Sequence, residues 1–161
     1  MYINFDQMPD HARVWIYQAE KSLTEEQAAK VQQTAQQFIE EWTAHGKGLV
    51  GSALFMHNQF LVLAVDEHHA TASGCSIDKS VHFVKSVQDS TGVDFFNRTL
   101  LVYLDEQGRL QTVALPKIKQ KIEQGIFRAE TLFFNNLVQS VGEWRQFWKT
   151  PAQKSWLAKY F

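Results

Sequence analysis

The chain has 161 residues, 45% of them hydrophobic, with 16 basic against 17 acidic side chains and a single cysteine. That length supports one well-buried core, and a net charge near zero gives no global field steering the chain toward nucleic acid or an anionic bilayer. One cysteine excludes an internal disulfide and a multi-cysteine zinc centre, and the longest apolar run, Phe60 to Val65, is far below the roughly 20 residues that span a membrane.

The opening residues, Met1-Tyr-Ile-Asn-Phe-Asp6, are acidic and lack a basic, apolar leader, so a soluble cytoplasmic protein is expected. Ala12 to Ala19, rich in β-branched and aromatic residues, reads as a first strand. Thr24-Glu-Glu-Gln27 is a capping box with Leu23 placed as a hydrophobic staple. Ala28, Val31, Ala35, Phe38 and Trp42 then recur at spacings of three and four, which predicts a helix from Thr24 to Ala44, capped by Gly46. Leu49 to Met56 and Gln59 to Asp66 are strands around His57-Asn58, a break that suits a tight hairpin because Asn tolerates positive φ. The second of these has no polar alternation, so it belongs in the middle of a sheet, buried on both faces.

A second helix is predicted from Ser76 to Asp89, with Ile77, Val81, Val84 and Val87 inward. Thr99 to Asp105 and Leu110 to Ala114 are strands joined by the turn Asp105-Glu-Gln-Gly108. Beyond Pro116 come a short basic helix, Lys117 to Gln124, an extended stretch at Thr131 to Phe134, and a helix from Leu137 to Trp148. The ending carries Trp156, Leu157, Tyr160 and Phe161, apolar content that calls for docking onto the body or onto a partner.

The order strand, helix, strand, strand, helix, strand is the βαββαβ pattern of ferredoxin-like α+β folds. The expectation is a single domain over residues 1–161. Residues 12–105 would form the antiparallel core, and residues 106–161 would add a strand and C-terminal helices. With strand order 4-1-3-2, the end of the third strand shares a pole with the start of the first. Asp66, Glu67, His68, His69 and Cys75 would then gather near Asp10, His11, His45, Asp105 and Glu106.

Three chemistries fit such a rim. His11, His45, His68 and Asp66 are ligand types that suit zinc or non-haem iron, although no spaced pair such as HExxH is present. Cys75 near a helix start would feel the positive end of the macrodipole, and His68 could complete a Cys-His pair for a hydrolase or transferase. Ser73, Gly74 and Ser76 could offer backbone N–H groups to a small anionic ligand. Each has a plainer reading: a solvated sheet edge, an inert packed thiol, and ordinary helix caps.

The phrases His57-Asn-Gln-Phe-Leu-Val-Leu-Ala-Val-Asp-Glu67, Ala72-Ser-Gly-Cys-Ser-Ile-Asp78, Asp94-Phe-Phe-Asn-Arg98 and Leu132-Phe-Phe-Asn-Asn-Leu-Val138 resemble a small bacterial family from the Bacteroidetes. Its members often carry the name "ABC transporter ATPase", and the resemblance implies no particular functional residues. Phe60 to Glu67 has the look of a Walker B strand, but the chain contains no GxxxxGK[ST] loop to cradle phosphates, and Ser73-Gly74 follows the Asp-Glu strand instead of preceding it. ATPase activity is therefore not expected. The residues favour a non-catalytic binding or interaction module, with a protein partner on the aromatic C-terminal surface. A Cys75-dependent enzyme and a His/carboxylate metal site are the alternatives, and no cofactor is specified.

Overall fold

The computed structural model of the chain describes residues 1–45, 49–67 and 74–161, apart from the side chains of Ala44, His45, Gly74, Cys75 and Ser76. The described residues form an α+β protein with two antiparallel sheets, and the chain divides into two compact units. Unit 1 comprises Met1–Asn97 with Gln139–Gly142, and unit 2 comprises Arg98–Val138 with Glu143–Phe161.

Unit 1 is built around a hairpin. Strands β2 (Val50–Met56) and β3 (Phe60–Asp66) pair antiparallel, with His57 at φ 54° and Asn58 at φ 55° closing the turn, as the sequence requires. Strand β1 (Arg13–Gln18) pairs with the other side of β3, giving the order β1-β3-β2. Phe60 to Val65 are all fully buried, the double-sided burial that their unbroken apolar run predicts. Leu61, Leu63 and Val65 meet Val31, Ala35, Ile39 and Trp42 of helix α1 (Glu25–His45) and Val84 and Val87 of helix α2 (Gly74–Thr91). The stacked rings of Phe38 and Phe83, 4.5 Å apart, join the two helices.

The capping box forms as read: Thr24 N–H donates to Gln27 Oε1 at 3.0 Å and Gln27 N–H donates to Thr24 Oγ1 at 3.1 Å. Farther along α1, Gln32 reaches the outer edge of β2. Its amide donates to Ala53 C=O at 3.1 Å and accepts from Phe55 N–H at 2.8 Å, standing in for a missing strand. Gly51 lets α1 come close, because a Cβ there would lie 3.0 Å from Ile39 and 3.1 Å from the Ala64 carbonyl.

Unit 2 holds the second sheet, in the order β5-β4-β6-β7. Here β4 (Leu100–Leu104) pairs with β5 (Leu110–Ala114) and meets β6 (Leu132–Phe134), which pairs with β7 (Lys149–Pro151). Helix α3 (Ile118–Glu123) contributes Ile118 to the core beneath this sheet. Helix α4 (Val141–Phe147) is shorter than the predicted Leu137 to Trp148. The Asn135 side chain accepts from Leu137 N–H at 3.2 Å and bends the chain there. Gln139 C=O then accepts from Val14 N–H at 3.1 Å, so these residues run extended alongside β1.

The sheets depart from the ferredoxin-like expectation at β4. The order β1-β3-β2 is present, but the edge of β1 that would receive β4 is occupied by Gln139 and Ser140. β4 instead lies inside the second sheet, where a four-residue turn delivers β5 to it at low entropic cost.

The C-terminal residues dock. β7 completes the sheet, Ala152 and Leu157 are fully buried in the unit 2 core, and Trp156 packs edge-on against Phe133 at 6.3 Å. Truncation after Trp148 removes a strand and two fully buried side chains. It should abolish the cooperative unfolding of unit 2 in a urea melt; a truncated chain with unchanged unfolding would show that the ending is not core.

Candidate functional site

The antiparallel register Arg13↔Val65 runs the start of β1 alongside the end of β3, so residues just outside both strands meet. His11 Nε2 lies 2.9 Å from Asp66 Oδ1, which joins two of the residues predicted to converge. Next to them, Arg13 approaches the Glu67 carboxylate at 3.6 Å, and its guanidinium sits 4.8 Å from the centre of the Trp15 ring. Arg13 and Trp15 share one side of the strand, two residues apart, which is why the cation can lie over the indole. Ion pairs this exposed contribute at most about 1 kcal/mol each. Their effect is to order the rim: each carboxylate at the end of β3 faces a basic side chain from the start of β1.

Much of the predicted constellation lies outside the described residues. His68, His69 and Ser73 fall there, as do the side chains of His45, Gly74, Cys75 and Ser76. Neither the Cys75–His68 pair nor the loop expected to take a small anion is therefore described. Among the described residues no group of three His, Cys, Asp or Glu side chains is placed to hold a metal ion, and His11 with Asp66 supplies two.

Asp105 and Glu106 were expected at this rim because β4 was expected beside β1. β4 belongs to the other sheet, and the basis for that convergence goes with it. Asp105 is instead committed to its own turn. Its Oδ1 accepts from the N–H groups of Gln107 and Arg109, both at 2.9 Å, and its Oδ2 accepts from the Gln111 amide at 3.0 Å.

This turn forms one wall of a cleft of about 560 Å³ within unit 2. Tyr103, Glu106, Ile126, Arg128, Glu130 and Leu132 also line it. Arg128 pairs with Glu106 and lies 3.7 Å from Glu130. Its backbone is held by reciprocal bonds with Thr131: Arg128 N–H donates to Thr131 Oγ1 at 2.8 Å, and Thr131 N–H donates to the Arg128 carbonyl at 3.0 Å. Gly125, at φ 71°, ends α3 and turns Ile126 outward into the cleft. Burial and the neighbouring Asp105 charge raise the Tyr103 phenol above its ordinary value, so it stays a neutral donor at physiological pH. The cleft thus offers a guanidinium, three carboxylates, a phenol and two exposed apolar side chains.

Sequence reasoning missed Ile126, Arg128 and Leu132. The available cue was Gly125 directly after the short basic helix, which marks a helix stop followed by an apolar residue with no strand or helix period to bury it. No family model, curated protein or solved structure matches the chain.

Asp105 makes a pH prediction. The Arg109 backbone N–H first, then the Gln111 amide, hold its carboxyl below the ordinary carboxylate value. A depressed folded-state pKa contributes stability that is present above the unfolded value and is lost as pH falls through the folded one. The Asp105→Asn variant should therefore lack part of the acid-side loss of stability shown by the parent. Superimposable stability profiles between pH 2 and pH 5, the window of ordinary carboxylate titration, would contradict this.

Proposed function

We propose that the protein works by binding, as a non-catalytic interaction module, and that unit 2 presents the recognition surface to a protein partner. One observation carries this reading. Among the described residues six large hydrophobic side chains are exposed; Ile126, Leu132, Leu137, Phe147 and Phe161 belong to unit 2, and Met1 is the sixth. An exposed apolar residue is ordinary when single; five on a unit of about sixty residues is the composition of a surface that meets another molecule.

The aromatic framework supports the same surface. Trp144 stacks on Trp148 at 5.4 Å, Trp148 packs on Phe134 at 4.7 Å, and the Trp148 indole donates to Asn136 Oδ1 at 3.0 Å. Phe147 and Leu137 are neighbours in sequence of these fixed groups and remain outside, at 53% and 66% exposure. Rigid aromatic support beneath exposed apolar anchors lowers the ordering cost of binding. The Leu137→Ser and Phe147→Ser pair should keep the parent melting temperature to within about 4 °C, because exposed substitutions change stability by roughly 0.5 kcal/mol each. The same pair should lose a stoichiometric partner that the parent retains in affinity purification from its native cells. An unchanged partner profile would sink this reading.

The His11–Asp66 contact favours a second reading, a metal or acid–base site at the unit 1 rim that draws on His45, His68 or Cys75. Under the binding reading, purified protein carries no stoichiometric zinc or iron by elemental analysis, and Cys75 reacts with iodoacetamide at pH 6 no faster than a free thiol. Stoichiometric metal that is lost in His11→Ala, or a fast thiol, would transfer the function to the rim.

A further inference from the structure

The four edges of the two sheets are not treated alike. The start of the β1 edge, at Arg13 and Val14, is covered by Gln139 and Ser140, and the β2 edge is met by the Gln32 amide together with Met1 and Ile3, which bond to Gly51. The short edge strand β7 carries Lys149 and Pro151, a charge and a missing donor that discourage pairing. Among the described residues, β5 shows none of these. Its sequence, Leu110-Gln-Thr-Val-Ala114, contains no charge and no proline, and its pairing with β4 is free of bulges.

The register shows which backbone groups face outward. Asp105 N–H donates to Arg109 C=O at 2.9 Å and Leu115 N–H donates to Thr99 C=O at 2.7 Å. Hydrogen-bonded pairs alternate between those two points, so Leu101↔Val113 and Tyr103↔Gln111 are the bonded pairs. The N–H and C=O groups of Leu110, Thr112 and Ala114 then point away from β4. Thr112 is exposed, and among the described residues no strand pairs with this side of β5.

We propose that β5 is a self-association edge, at which two copies of this chain pair antiparallel about a two-fold axis through Thr112. In that register Thr112 faces Thr112 of the second copy and Leu110 faces Ala114, so roughly six backbone hydrogen bonds form. Facing threonines are a favourable cross-strand pair. The charges agree with the antiparallel sense. The turn before β5 carries Asp105 and Glu106, and Lys117 and Lys119 follow β5 at its other end, exposed. Antiparallel pairing brings each copy's acidic turn to the lysines of the other. Arg109 and Arg128 already lean on these acids, but through exposed pairs that exchange readily. A five-residue edge buries less than a stable dimer needs, so association is weak and depends on concentration.

Sedimentation equilibrium of the full chain from about 10 μM to about 1 mM covers the affinities expected of so small an interface. The mass should climb from 18.6 kDa toward roughly twice that value. Thr112→Lys, which sets two like charges face to face, should weaken association roughly tenfold or more. Thr112→Pro should do the same by removing an outward donor that β4 does not use. In a Cys75→Ala background, Thr112→Cys should give a covalent dimer under mild oxidation, because directly opposed residues of this kind lie about 5.5 Å apart at Cα. The Leu137→Ser and Phe147→Ser pair should leave self-association unchanged, which separates this edge from the apolar surface proposed above. A mass that stays at 18.6 kDa throughout overturns the proposal, as does a dimer that persists equally in Thr112→Lys with an unchanged circular dichroism spectrum.

Discussion

Unit 1 depends on one constraint: the backbone of β3 must find every hydrogen bond inside the protein. Phe60 to Val65 are fully buried, so no water reaches their N–H and C=O groups, and an unpaired group there would cost about 1–3 kcal/mol. A strand is therefore needed on each side. The tight turn at His57 and Asn58 supplies β2, and β1 supplies the other flank. This moves the unpaired edges outward to β1 and β2, and distant chain bonds to part of each. Gln32 comes from a helix, Met1 and Ile3 from the N-terminus, and Gln139 and Ser140 from a segment more than a hundred residues after β1. The N-terminal ammonium is itself held, donating to Leu49 C=O at 3.1 Å.

What could be read from the residues was what local chemistry decides. The capping box starts α1 because its two bonds lie within three residues of each other, and the hairpin follows from two positions that must accept positive φ. The central place of β3 follows from its unbroken apolar run. The partner of β4 was not legible for the converse reason. Which strand lies beside β1 is a competition between distant segments, and the winner, Gln139-Ser140, carries no strand-like periodicity. The bonds that hold it beside β1 are backbone bonds, which leave no side-chain pattern to read. The helix predicted from Leu137 was overruled by the side chain of Asn135, which captures the N–H of Leu137.

The candidate site divides along the same line. His11 and Asp66 meet because the pairing of β1 with β3 was legible, and the register carries their side chains together. Asp105 was expected at the rim through β4, and β4 lies in the other sheet. A carboxylate at a tight turn can accept bonds from the backbone N–H groups just beyond it, as Asp105 Oδ1 does, while its Oδ2 accepts from the Gln111 side-chain amide. Its charge holds the β4–β5 turn and, through Gln111, the first residues of β5. An acid so occupied shapes a cleft wall; it is poorly placed to move protons.

The two units also differ in what they leave unfinished. In unit 1 distant chain bonds to part of each sheet edge, the rim carboxylates face basic side chains, and among the described residues the exposed large apolar side chain is Met1. In unit 2 the edge strand β5 is uncharged and, among the described residues, unpaired on its outer side, and five large apolar side chains are exposed. Open backbone edges and exposed apolar groups both carry a cost for a chain in solution, the first as a template for unwanted pairing and the second as a source of aggregation. Gln32 and Gln139 close parts of the unit 1 edges, whereas among the described residues no such closure lies on the outer side of β5. An open edge and exposed apolar groups in the same unit are what the binding proposal rests on, not the charges of the rim.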